Sequence, residues 1–198
     1  MNAINLSYYT IKHFEEISPL KLQKLLYYVK VWGIVSGEYY LEGTFEKWDK
    51  GPVNPEVYHA YKKFGYQNIP KGSVQHFSLP KDHKKTINFV LECYAQFSAL
   101  SLSAMTHKDE PWKNTSMNKA IADKNIQKYY SKLPFAKNFP FNPDKPFYLP
   151  QTDLDHAYIL DMSKKDAETL SVYPSYKAYK KQIGSTQQKF KKLLKDFG

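Results

Sequence analysis

The sequence contains no arginine: all 29 of its basic residues are lysines, and with 19 acidic residues they give a net charge of +10. Bidentate hydrogen bonding to a guanine edge or a phosphate is mostly made by arginine, whereas lysine is a strongly hydrated point charge. The composition therefore disfavours sequence-specific DNA reading. Non-specific attraction to phosphates and electrostatic steering toward an acidic protein both stay open.

Cysteine is almost absent too, since Cys93 is the only one in 198 residues. A single cysteine excludes an intramolecular disulfide and a cysteine-rich zinc module. Cys93 lies between apolar positions of a predicted helix, which favours a buried small side chain over a reactive thiol. The sequence also lacks a signal-peptide pattern in residues 1–20 and any run of the ~18 apolar residues that a membrane span needs. We therefore expect a cytoplasmic protein without membrane contact.

The motifs of familiar enzymes are missing: there is no Gly-rich phosphate loop, no dinucleotide fingerprint and no His-Glu-x-x-His helix. The six histidines show no i, i+4 pairing, so no metal site is predicted. His107, close to Asp109 and Glu110, has two interpretations, an acid–base pair or a structural hydrogen bond at a helix end. The second is favoured because no nucleophile or oxyanion donors accompany it. We expect no catalytic residue, no cofactor and no enzymatic activity.

Hydrophobic periodicity predicts a mainly helical fold. Ser18 as N-cap opens the clearest helix, which Gly37 ends. A second helix starts at Asn54-Pro55 and stops at Gly65, and a third long helix is predicted over residues 82–100, with a break at Ser101 before a helical continuation to His107.

A small β element is expected between these helices. Residues 44–48 are aromatic and β-prone and predict a short strand before a turn at Lys50-Gly51-Pro52. Residues 74–79 alternate and predict a second strand, which would pair with the first because an isolated strand has no hydrogen-bond partner. The predicted fold class is therefore mainly α with a small β element (α+β).

Three stretches of the sequence go beyond generic helix signals. Residues 18–28 read SPLKLQKLLYY, residues 48–58 read WDKGPVNPEVY, and residues 102–112 end in THKDEPW. Together they resemble the Panacea domain, the family of SocA-like antitoxins found beside toxin genes in bacteria and phages. The resemblance covers roughly residues 5–130.

This resemblance implies a mainly helical domain that acts as the protein antitoxin of a type II toxin–antitoxin system, without activity of its own. It implies direct binding to a cognate toxin encoded by a neighbouring gene. Family members neutralise toxins of several unrelated kinds, among them small alarmone-synthetase-like enzymes whose active site would be occluded. One characterised type acts as a protease adaptor, and the resemblance does not decide between these modes or give the oligomeric state.

The predicted organisation is a Panacea-like domain over residues 1–132, a Pro/aromatic-rich strap over residues 133–150 and a C-terminal extension over residues 151–198 packed on the domain. The extension contains a strand-like stretch at 157–160 and ends in a Lys-rich amphipathic helix. That helix supports the alternative function, a nucleic-acid-binding or autoregulatory module, with nucleic acid as the secondary partner.

The candidate partner-binding residues combine aromatic side chains with residues of the three motifs. On the first long helix, Lys24, Tyr27 and Tyr28 fall partly off the apolar stripe, which predicts a tyrosine and lysine surface. Trp48 and Trp112 also have a structural interpretation as core or hinge anchors, because tryptophan is highly buried on average. The full set is Lys24, Tyr27, Tyr28, Trp48, Pro52, Tyr58, His107, Trp112, Phe147 and Tyr148.

Overall fold

The computed structural model describes residues 1–150 and 172–196 and, within its last helix, the side chains through Ser185 and that of Gln188. It confirms the predicted fold class, because helices dominate and the two sheets have two strands each. The helices are α1 (Ala3–His13), α2 (Pro19–Ser36), α3 (Pro55–Tyr61), α4 (Lys81–Ala95), α5 (Ala99–Lys108), α6 (Glu110–Lys113), α7 (Asp123–Tyr130) and α8 (Tyr176–Asp196); the strands are β1 (Glu46–Trp48), β2 (Gly51–Val53), β3 (Phe147–Tyr148) and β4 (Val172–Tyr173).

The chain forms two compact units, Met1–Ala136 and Lys137–Gly198. The first unit is built around α2, which packs against α1, α3, α4, α5, α7 and β2. Every residue of α2 from Lys21 to Ile34 is buried. A helix covered on all sides is a core helix, unlike a surface helix with one apolar stripe.

The ends of α2 are the predicted ones. The Ser18 side chain accepts a hydrogen bond from the backbone N–H of Lys21 (3.3 Å), and Pro19 occupies the first turn. Gly37 ends the helix in the left-handed conformation, with φ of 78°. These caps satisfy backbone groups that a helix terminus otherwise leaves unpaired.

Aromatic side chains make much of the first core. Trp32 on α2 donates its indole N–H to the Tyr94 hydroxyl on α4 (3.0 Å), and the rings of Tyr28 and Tyr94 stack at 3.9 Å. Phe135 packs against Trp32 and stacks on Phe89. Buried aromatic pairs contribute about 0.5–1.5 kcal/mol beyond their area burial. Cys93 is buried in the same helix as Tyr94, as predicted.

The predicted strand pairing is wrong. β1 pairs antiparallel with β2, at Glu46↔Val53 and Trp48↔Gly51, and residues 74–79 form no strand. On its other side β1 is covered by the chain around Lys119, whose carbonyl accepts from the Lys47 backbone N–H (3.0 Å). A local hairpin therefore satisfies β1 on one side and a nearby loop on the other, which leaves no edge for a distant strand.

The break predicted at Ser101 lies a few residues earlier in the structure, because α4 ends at Ala95 and α5 begins at Ala99. Ser98 causes it, because its side chain accepts from the Ser101 backbone N–H (3.0 Å) and caps α5.

The second unit has its own aromatic cluster. Phe147 on β3 lies 5.1 Å from the Tyr176 ring and 4.8 Å from the Tyr179 ring of α8, measured between centroids. The Asn138 side chain binds the Tyr148 backbone in both directions (2.8 and 2.9 Å). The predicted stretch at 157–160 and the apolar side chains of the final Lys-rich helix lie outside the described residues. The boundaries at residues 132 and 150 stay predictions.

Candidate functional site

The β1–β2 hairpin is where the three sequence motifs meet. From α2, Gln23 Nε2 donates to the Asn54 carbonyl (3.1 Å), and Gln23 Oε1 accepts from the Asn54 N–H (2.8 Å). The neighbouring Lys24 donates from Nζ to the Pro52 carbonyl (2.8 Å). Side chains of α2 thus bind the outer side of β2 and its continuation.

The second support of the hairpin comes from α5. Ser103 Oγ donates to the Lys50 carbonyl (2.8 Å), and Thr106 lies directly against the hairpin turn. Gly51 has φ of +99°, and a Cβ there would lie 2.6 Å from Thr106 Oγ1 and 2.8 Å from Lys24 Cε. Both the backbone conformation and the close approach require glycine.

Lys24 is the buried cation beneath this hairpin. Its side chain has no exposed surface, and burial lowers the pKa of its ammonium to about 7. Among the described residues no carboxylate forms an ion pair with it, so its hydrogen bond to Pro52 is the polar contact that fixes it. A charge buried in this way costs free energy and favours the neutral amine.

His107 and Trp112 contact the hairpin near Lys47 and Asp49. Their rings stack with centroids 4.3 Å apart, and Lys47 Nζ lies 4.4 Å from the Trp112 centroid. Burial, then the positive charges of Lys24 and Lys47, lower the pKa of His107, while a hydrogen bond with the Asp49 backbone opposes them. A neutral imidazole that holds the hairpin backbone fits the structural interpretation of His107.

The described part of the chain offers no metal centre: no group of three or more His, Cys, Asp or Glu residues in it is arranged to hold an ion. Within the same residues, no helix has the length and apolar character that crossing a bilayer requires.

Asp109 joins the end of α5 to α7. It is buried and accepts hydrogen bonds from Tyr129 (3.1 Å) and, at short range, from Tyr130. Burial raises the pKa of Asp109 to about 6, although both tyrosine hydrogen bonds and Lys113 act in the opposite direction. These bonds fix the segment that carries His107 and Trp112.

Tyr130→Phe is expected to lower the free energy of unfolding by about 2 kcal/mol, because it removes a donor from a buried carboxylate. Tyr129→Phe, at a half-buried tyrosine with the longer bond, is the matched control and should cost less. Urea denaturation at pH 7 measures both changes. Equal, small losses for the two variants would show that the Tyr130 bond contributes little.

A groove of about 490 Å³ opens beside the hairpin. Trp48 and Tyr58 meet in it edge to face, with centroids 4.8 Å apart. Tyr66 is 83% exposed and Met117 46% exposed at its margins. Such a volume lies in the range of about 300–1,000 Å³ typical of binding pockets. Its lining residues are Pro19, Leu20, Gln23, Trp48, Asp49, Lys50, Val53, Tyr58, Lys62, Gly65, Tyr66, Met117 and Asn118.

The predicted contact residues divide into three groups. The predicted surface of Lys24, Tyr27 and Tyr28 is wrong as an exposed surface, because all three side chains are buried in the core around α2. Pro52, in β2, is buried as well. The structure brings Trp48 and Tyr58 together in the groove and leaves His107 and Trp112 half-buried. In the second unit Phe147 is buried and Tyr148 half-buried. The role of Trp48 and Tyr58, of His107 and Trp112, and of Phe147 and Tyr148 as partner contacts stays a prediction.

Sequence reasoning missed the most exposed apolar side chains of the groove, Tyr66 and Met117. Tyr66 follows Gly65, the predicted helix stop, where an apolar residue commonly packs against the last turn of the helix, so the sequence has no signal for an exposed ring there. Met117 has no signal either, because it reaches the groove through the pairing of its loop with β1.

Comparison with known proteins gives one family. Residues 22–113 match the family described as antitoxin SocA-like, Panacea domain. This range includes the hairpin and the α2 and α5 residues that hold it. No curated protein and no solved structure matches the chain.

Proposed function

We propose, from the match of residues 22–113 to the SocA-like Panacea domain family, that the protein is an antitoxin that neutralises a cognate protein toxin by binding it at the groove. The family match supports the antitoxin role. The observation that carries the binding surface is the exposed aromatic groove built on the hairpin where the three motifs meet. Contiguous exposed apolar side chains on a folded protein mark interaction sites.

The finer part of the proposal concerns the toxin. From the family resemblance, we propose a toxin encoded by the neighbouring gene, of the small alarmone-synthetase-like kind, whose active site the bound antitoxin occludes. A phosphate-binding active site is basic, and the chain carries +10, so apolar and tyrosine contacts rather than lysines would cover it.

Growth rescue tests the proposed function. The neighbouring gene is expressed from an inducible promoter with and without this chain, and co-purification of the two products is measured in parallel. Rescue with a stable complex is the expected result. A harmless neighbour, or a toxic one that this chain neither binds nor rescues, would sink the antitoxin proposal.

Tyr58→Ala combined with Tyr66→Ala is expected to weaken toxin binding at least tenfold and to abolish rescue, because it removes the exposed rings of the groove. Tyr39→Ala combined with Leu100→Ala is the matched control: it removes two exposed large side chains, 61% and 76% exposed, that do not line the groove. If both pairs rescue equally at equal abundance, the groove is not the toxin-binding surface.

A further inference from the structure

The groove concentrates the apolar side chains that the first unit exposes. Tyr58, Tyr66 and Met117 are all exposed and all line it, and the half-buried Trp48 lies between them. The indole N–H of Trp48 already donates to Glu46 (2.9 Å). Its remaining free surface is therefore the ring, which favours an apolar side chain of a partner as its contact.

The backbone beside the groove is closed to an added strand. β1 pairs with β2 on one side and with residues around Lys119 on the other. The carbonyls of Lys50 and Pro52 accept from Ser103 and Lys24. A partner can therefore bind here through side chains, as a helix or loop does, but not by extending the sheet.

The charges at the groove are unequal. Lys50 and Lys62 both line it and form no ion pair among the described residues, whereas Asp49 is its single carboxylate. Lys50 Nζ donates to the Tyr66 hydroxyl (2.9 Å), and this bond raises the pKa of Lys50. The groove thus presents two ammonium groups beside exposed aromatic rings.

We propose that the groove takes an acidic amphipathic segment of a partner protein, whose large apolar side chains enter between Trp48, Tyr58 and Tyr66 and whose carboxylates contact Lys50 and Lys62. The proposal rests on the proposed function, since the partner is then the toxin. The acidic segment then lies beside the phosphate-binding pocket of that toxin and not in it, because such pockets are basic, and other surfaces of the bound antitoxin cover the pocket. Opposite charges at the edge of an interface favour association and set its register.

The first test reverses the two charges. Lys50→Glu with Lys62→Glu is expected to weaken binding of the purified toxin about tenfold, because two attractive pairs become repulsive. Lys81→Glu with Lys84→Glu on α4 makes the same change in net charge at exposed lysines away from the groove and should change the dissociation constant less than about twofold. Equal effects of the two pairs would overturn the inference while the antitoxin function stands.

The second test needs no toxin. Two synthetic peptides of about 14 residues share Leu and Phe at i, i+3, i+4 and i+7, and carry either Glu or Lys at the other positions. NMR of the intact chain follows the indole N–H signal of Trp48. We expect the Glu peptide to shift that signal and the Lys peptide to leave it unchanged.

The peptide result stays decisive if the toxin does not bind at all. A shift with the Glu peptide alone would then support the groove's chemistry although the antitoxin proposal has failed. A shift with the Lys peptide, with neither peptide, or only with a single-stranded oligothymidylate would overturn the inference, the last in favour of nucleic acid.

Discussion

Replacing Gly51 by alanine is expected to lower the free energy of unfolding by about 2–5 kcal/mol and to abolish toxin binding. A side chain at φ of +99° is strained, and the new Cβ would lie 2.6 Å from Thr106 Oγ1. Because Lys24 and Thr106 are both buried, neither can swing into solvent to relieve the contact. The hairpin must therefore shift away from α2 and α5, or the unit must unfold.

Two further variants separate strain from crowding. Gly37→Ala lies in the left-handed helical region, with φ of 78°, but meets no atom within 4 Å, so it should cost only about 1 kcal/mol. Thr106→Ala removes the nearest oxygen, so it should recover part of the loss when combined with Gly51→Ala. Chemical denaturation of these four variants and the unaltered protein measures this. Equal costs for Gly51→Ala and Gly37→Ala would show that the close approach to Thr106 has no energetic role.

The functional consequence of Gly51→Ala follows from the position of the turn. Lys50 directly precedes Gly51, Trp48 pairs with it across the hairpin, and both side chains line the groove. A hairpin that moves by an ångström takes these side chains with it, although neither has been replaced. If Gly51→Ala remains folded, its loss of free energy of toxin binding should therefore exceed its loss of free energy of unfolding. A folded variant with unchanged binding would place the partner surface elsewhere.

Helix boundaries could be predicted from sequence where a cap determines them. Ser18, Gly37 and Asn54 end or start helices through their own side chains or backbone conformation, and these signals are local. The break before α5 depends on Ser98, which is equally local, but the apolar periodicity of the surrounding residues continues across it. The β1–β2 pairing could not be predicted because Gly51 and Pro52, which are typical turn residues, lie in β2, and because β1 takes its second partner from a loop some seventy residues later.

The buried motif residues show why exposure could not be predicted. Periodicity assigns one apolar face to α2, but five other helices surround it, so even Lys24 and Tyr27 are enclosed. Gln23 and Lys24 are polar because they bind the backbone of residues 52–54, and no helical pattern contains that information. The motif was recognisable in the sequence, whereas its role as a support for the hairpin needed the structure.

Lys24→Met is expected to remove a rise in stability with pH that the unaltered protein shows above neutrality. In the folded protein the pKa of Lys24 is about 7, against 10.5 for an ordinary lysine. Between these values the unfolded chain binds one more proton, so the free energy of unfolding increases as pH rises. One proton corresponds to about 1.4 kcal/mol per pH unit, which gives about 2–3 kcal/mol between pH 7.5 and 9.5.

Burial also lowers the pKa of Lys21, so the contribution of Lys24 is the difference in the rise between the unaltered protein and Lys24→Met. The other perturbed groups titrate outside this window. The pKa of Asp109 is raised only to about 6, and that of His107 is lowered from 6.5, so both have titrated below it. Tyr27 and Tyr130 have pKa values raised above 10 by burial; their unfolded forms lose protons only near pH 10, where stability should begin to fall.

Matched variants of the same helix distinguish the charge from the hydrogen bonds. Gln23→Leu removes both bonds to Asn54 and should destabilise the protein while keeping the rise with pH, because Lys24 is intact. Lys24→Arg should be destabilised throughout the window and show no rise, since a guanidinium keeps its proton. Urea denaturation at several pH values measures the three slopes. A rise of equal size in Lys24→Met would mean that another group supplies it. The buried ammonium of Lys24 would then not lower the free energy of unfolding at pH 7.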